Sequence, residues 1–99
     1  MIRHLVLWKL AAESPEEKAA VVAEMRERFA ALLPIIDGTE RLDVRADLGM
    51  TDGNWDVVLD SDYRDAAALD AYQVHPAHQE VAAYVRTVVT ARVCVDFEV

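Results

Sequence analysis

The chain lacks most of the features by which a small protein announces its chemistry. It has one cysteine, Cys94, so no internal disulfide can form, and a reducing compartment suits it. Its 3 glycines stand well apart, which excludes a Gly-rich phosphate loop and leaves nucleotide and flavin cofactors without support. No apolar run approaches ~18 residues, so no transmembrane helix is expected. Met1-Ile2-Arg3-His4 leads straight into an alternating pattern, without the apolar stretch of a signal peptide. A soluble cytoplasmic protein is the expectation. Bases are scarce: 10 Lys and Arg face 18 Asp and Glu, for a net charge of −8. With no basic patch to offset it, that balance repels nucleic acid.

What is present suits one small domain. The 99 residues can bury a single core. Hydrophobic residues make up 54%, generous for so small a body, and this points to apolar surface that one monomer cannot hide.

Period-two and helical patterns divide the chain. Ile2 to Leu10 reads as a strand apolar on both faces, with His4, Val6, Trp8 and Leu10 on one side and Leu5 and Leu7 on the other. Ser14-Pro15-Glu16-Glu17 is a helix start, and the helix should run to about Leu33, with Val22, Met25 and Phe29 inward. Leu42 to Leu48 alternates as a half-exposed edge strand. Trp55 to Tyr63 follows, antiparallel, with Trp55, Val57 and Leu59 sharing a face. Trp8, Trp55 and Phe29 are expected to give core bulk. Asp65 caps a short helix to about Val74, His75-Pro76 breaks it, and Pro76 opens a second piece. Ala91 to Val99 closes the chain, with Val93, Val95 and Phe97 opposite Arg92, Cys94 and Asp96. This order gives an α+β fold, the ferredoxin-like split β-α-β sandwich (βαββαβ). Its helices cover one sheet face. Pairing two bare faces across a two-fold axis, as a homodimer, would close a dimeric α+β barrel.

The densest chemistry lies in Tyr72-Gln73-Val74-His75-Pro76-Ala77-His78. His78 falls in the first turn of a helix, where the dipole favours the neutral ring, a proton acceptor at pH 7. Tyr72 offers a hydroxyl to a developing oxyanion. Equally, His75 and His78 could cap the helix break, with Tyr72 a core aromatic. His4 on an apolar face could be a core histidine or a pocket group. Asp96 could orient an imidazole or be a strand-end charge. His75-x-x-His78 with His4 is a poor match to zinc spacing, so no metal is expected. Cys94 reads as an inert core thiol, since no basic neighbour at motif spacing activates it.

The start Met1-Ile2-Arg3-His4-Leu5-Val6-Leu7, the Ser61-Asp62-Tyr63 strand end, Tyr72-x-x-His75-Pro76-Ala77-His78 and the ending Val95-Asp96-Phe97 resemble the stress-responsive dimeric α+β barrel (Dabb) family, over the whole chain. The resemblance implies a homodimer of ferredoxin-like units. It also implies, from a plant polyketide cyclase in that family, cofactor-free aldol-type ring closure. The tyrosine and histidine of that enzyme match Tyr72 and His78, and its pocket histidine and aspartate match His4 and Asp96. A further pocket histidine falls at Val57 here, which argues for a different substrate. The reading is therefore a small cofactor-independent enzyme acting on an apolar carbonyl compound by cyclase- or lyase-like acid–base chemistry. Tyr72 and His78 would be catalytic, His4, His75 and Asp96 supporting, and Trp8, Val57 and Leu59 would wall the pocket. A non-catalytic ligand-binding or stability-conferring oligomer is the alternative, and a cofactor-free monooxygenase a third.

Overall fold

Strand β1 (Ile2–Leu10) lies in the interior of a four-stranded sheet and carries the core on its even-numbered residues. The computed structural model describes residues 1–99. After β1 come α1 (Pro15–Ala30), β2 (Thr39–Ala46), β3 (Val57–Tyr63), α2 (Ala66–Val74), α3 (Pro76–Val88) and β4 (Val89–Glu98). The sheet order is β2-β3-β1-β4, with every neighbouring pair antiparallel. This is the ferredoxin-like βαββαβ fold. No helix is long and apolar enough to cross a membrane.

The period-two reading of β1 holds in three dimensions. His4, Val6, Trp8 and Leu10 are buried under the helices, where Val22, Met25 and Phe29 of α1 meet them in the core. Leu5 and Leu7 point to the other face. There they pair with Val95 and Val93 of β4, and Arg3 pairs with Phe97. Val93, Val95 and Phe97 are exposed in the single chain. On the same face Asp62 receives two hydrogen bonds from the Arg3 guanidinium and one from Arg41.

The helix starts follow the expected chemistry. Ser14 Oγ accepts from the backbone N–H of Glu17 at 3.1 Å. Asp65 accepts from Ala68 N–H at 2.8 Å.

Several boundaries differ from the sequence reading, among them the start of β2, at Thr39 rather than Leu42. Helix α1 stops at Ala30 rather than near Leu33. Pro34 lacks the N–H that would bond Ala30 and disfavours helix at Leu33. The chain tightens instead into turns such as Leu32 N–H to Phe29 C=O, which still bury Leu32 and Ile36. Strand β2 ends at Ala46, not Leu48, because Asp47 turns its carboxylate onto Gly49 N–H and the Asn54 amide. Strand β3 begins at Val57, and Trp55 lies outside the core beneath the Lys9 ammonium, 5.2 Å from its ring centroid. Strand β4 begins at Val89, two residues early, with a register shift between Lys9 and Leu10.

Candidate functional site

The break between α2 and α3 fixes the central imidazole. In an unbroken helix the Gln73 carbonyl would accept from Ala77 N–H. Here Ala77 N–H donates to His75 Nδ1 at 3.0 Å instead. Gln73 C=O is left free, and His78 Nδ1 donates to it at 3.1 Å while the Gln79 amide donates at 2.6 Å. A carbonyl only accepts, so the His78 proton sits on Nδ1 and the lone pair on Nε2. Burial holds the His78 pKa below its ordinary value, and the neighbouring His4, Arg92 and Arg86 push the same way. The bond to Gln73 works against them. The net result is a neutral ring at pH 7.

Four rings then run from helix to sheet. The His78 and Tyr72 centroids are 4.3 Å apart, Tyr72 and Tyr63 4.8 Å, and Tyr63 and His4 6.1 Å. Tyr63 and Tyr72 are fully buried; their hydroxyls lie close to each other, and that of Tyr63 close to Ser61, but no pair meets hydrogen-bond geometry. An unpaired buried hydroxyl costs about 1–3 kcal/mol. Burial raises both phenol pKa values, that of Tyr63 to about 12, so both stay protonated donors.

The β1–β4 register places Asp96 directly opposite His4. Its carboxylate bonds His4 Nδ1, which assigns the proton to that nitrogen. Cys94 Sγ lies 3.4 Å from the same nitrogen and 3.7 Å from the same carboxylate oxygen. Burial, and Asp96 after it, push the Cys94 thiol pKa up, so it is no ready nucleophile. Thiol and carboxylate compete for one ring nitrogen, so the three do not form a nucleophile–base–acid relay, which needs both nitrogens. They are the one group of three potential ligands whose donor atoms all fall within 4.8 Å of one another. Cys94 is half-buried rather than a core thiol.

A cavity of about 630 Å³ opens between the sheet and α3. His4, Trp8, Phe29, Leu59, His78 and Val85 line its depth, and Gln73, Gln79, Arg86 and Arg92 are among its polar residues. Of the residues expected at a pocket, His4, Trp8, Leu59 and His78 border this one. Tyr72 packs behind His78, and Asp96 behind His4. Val57 is sealed in the core and does not border this cavity. His75 does not join the group: it caps α3 and borders a separate hollow with Ile35, Asp37 and Arg64. The His75-x-x-His78 pair is thereby split, which removes it as a metal motif. Sequence reasoning missed Tyr63, whose inward face follows by period two from Val57 and Leu59, and the two arginines, which no local pattern marks.

The βαββαβ order and the single antiparallel sheet make this a ferredoxin-like α+β domain. The match to a family model, the Stress Responsive A/B Barrel Domain (Dabb), spans residues 2–99. The chain belongs to that family. Among solved structures it is similar to a dimeric ferredoxin-like protein of unknown function from Bacteroides fragilis, at 29% identity and TM-score 0.84, covering 99% of this chain and 95% of that one. A dimeric ferredoxin-like protein of unknown function from Thermobifida fusca shares 26% identity, TM-score 0.80, with 99% and 90% covered. A Dabb family protein from Mesorhizobium loti, at 21% identity and TM-score 0.71, with 99% and 95% covered, shares the fold. No curated protein matches the chain.

Proposed function

We propose that the chain is a cytoplasmic, homodimeric, cofactor-independent acid–base enzyme that acts on an apolar carbonyl compound in a cyclase- or lyase-like step. The observation that carries this reading is the neutral His78, with Nε2 free, on the wall of an apolar cavity and stacked on a buried tyrosine whose hydroxyl lacks a partner. Nε2 takes a proton from the carbon beside a carbonyl. The C–H electron pair becomes an enolate, and Tyr72 O–H, buried behind His78 in this structure, donates to its oxygen once the wall beside His78 opens to it. The enolate carbon attacks a second carbonyl, forming the C–C bond, and the His78 proton passes to the new alkoxide. His4, held by Asp96, is the second imidazole at the same wall. The dimer is supported by the apolar face of Leu5, Leu7, Val93, Val95 and Phe97, which no helix of the chain covers, and by the dimeric description of similar proteins.

One feature favours the second reading, a ligand-binding barrel without catalysis: Tyr72 is fully buried and does not itself border the cavity. Turnover of short linear β-polyketones, followed by loss of enol absorbance, separates the two. Under the enzyme reading His78→Ala slows turnover by about 10²–10⁴-fold with the fold intact. No turnover by the parent protein on any such compound leaves the binding protein.

A further inference from the structure

Arg86 on α3 and Arg92 on the inner face of β4 border the cavity from two sides. Both are exposed. Every other arginine is engaged: Arg3 and Arg41 on Asp62, Arg28 on Glu24, Arg45 on Asp43, Arg64 on Asp37, and Arg26 on the Val44 carbonyl. Arg86 and Arg92 make no ion pair. That is unexpected in a chain with 18 acidic residues against 10 basic ones. The cavity is the reverse of the chain that surrounds it: two guanidiniums and no carboxylate among its lining residues. The two lie near enough to depress the His78 pKa, so their field reaches the cavity's interior. Both guanidiniums border the same cavity without a carboxylate, and an anion bound there would balance their charge. The guanidinium fork matches carboxylate and phosphate oxygens. Beneath it the walls are apolar, formed by Trp8, Phe29, Leu59 and Val85.

We propose that this cavity takes amphipathic anions, with the apolar body against Trp8, Phe29 and Leu59 and a carboxylate or phosphate head held by Arg86 and Arg92. The proposal rests on the cavity being the substrate site of the function proposed above, and it adds the charge of the substrate. A head fixed at the opening also sets how deep the body reaches toward His78.

Calorimetric titration of the full chain with octanoate, octyl phosphate and the neutral 1-octanol tests this without turnover. At least one anion should bind about tenfold or more tightly than 1-octanol, less so in high salt. Arg86→Gln and Arg92→Gln should each weaken that anion by about 5- to 10-fold and leave 1-octanol unchanged. Arg86→Lys and Arg92→Lys, which keep charge but lose the fork, should fall between. The tighter of the two anions identifies the head group. Equal binding of 1-octanol and both anions overturns the proposal, as does an anion affinity indifferent to both arginines, or no binding by any probe. Melting temperatures confirm that the exposed changes leave the fold intact. Anion binding without any turnover retires the enzyme reading and leaves this site standing. Turnover of neutral polyketones that ignores both arginines does the opposite.

Discussion

Replacing Tyr72 with Phe should make the protein more stable and less active. The side chain is fully buried, and its hydroxyl has no hydrogen-bond partner. Folding therefore strips water from that oxygen and returns nothing, at a cost of about 1–3 kcal/mol. Phenylalanine keeps the ring and its stacking on His78 and Tyr63, and it removes the cost. A gain of about 1 kcal/mol shifts the melting temperature of a domain of this size upward by about 4–8 °C. Both proteins must be melted at one protomer concentration, since association contributes to apparent stability. Turnover should fall in the same variant, because one donor to an oxyanion is worth roughly 2.7–4 kcal/mol. The neighbouring Tyr63 hydroxyl supplies an internal control. With both hydroxyls orphaned, Tyr63→Phe stabilises as well, and the double variant adds the two gains. A pair of hydroxyls bonded to each other would behave differently: each single change would orphan the survivor and destabilise, and the double change would recover. A fall in melting temperature for Tyr72→Phe alone would refute the unpaired hydroxyl and the strain argued from it.

Two further outcomes are expected. Leu7→Glu, which places a charge on the apolar face beside Val93, should give a monomer or an unfolded chain, and light scattering that still reports a dimer would remove this face as the interface. The Arg3 guanidinium, then Arg41, lowers the Asp62 pKa from 3.8 to about 2 against the effect of burial. A depressed carboxylate contributes stability that is complete above its unfolded pKa and is lost as pH falls through the folded one. Asp62→Asn should therefore flatten the acid limb of the stability profile between about pH 4 and pH 2, and an unchanged limb would place that sensitivity elsewhere.

Those features of the chain that depend on neighbours in sequence could be read from it. The alternation of His4, Val6, Trp8 and Leu10 fixed the inward face of β1, and Ser14, Asp65 and His75-Pro76 marked the helix starts and the break. What depends on register or on the direction of one side chain could not. Asp96 meets His4 only because β4 pairs with β1 in one of two alternating registers, and a shift by one residue would have turned it to the opposite face. His75 and His78 lie three apart around a proline, and spacing alone does not say which ring caps and which faces the cavity. Trp55 has the composition of a core residue, but β3 starts two residues after it. Arg86 and Arg92 are 6 positions apart on different elements, and their convergence is a matter of packing.

The arrangement around the helix break is hard to explain as an aid to stability. Pro76 removes a helical hydrogen bond, and His75 and His78 each spend a ring nitrogen on the backbone groups that the break exposes. A continuous helix with apolar residues there would satisfy the same groups without them. Two tyrosine hydroxyls are buried unpaired next to that break, and two arginines stand unpaired beside it in an acidic chain. The buried hydroxyls cost the folded state something; they pack directly behind His78, while His78 and the two arginines border the cavity itself. A core selected for stability alone would disperse such defects or lose them. Of the three buried side-chain oxygens without a partner, Tyr63, Tyr72 and Thr39, the two tyrosines stack in the row of rings that ends at His78, and the third lies on β2, opposite Tyr63.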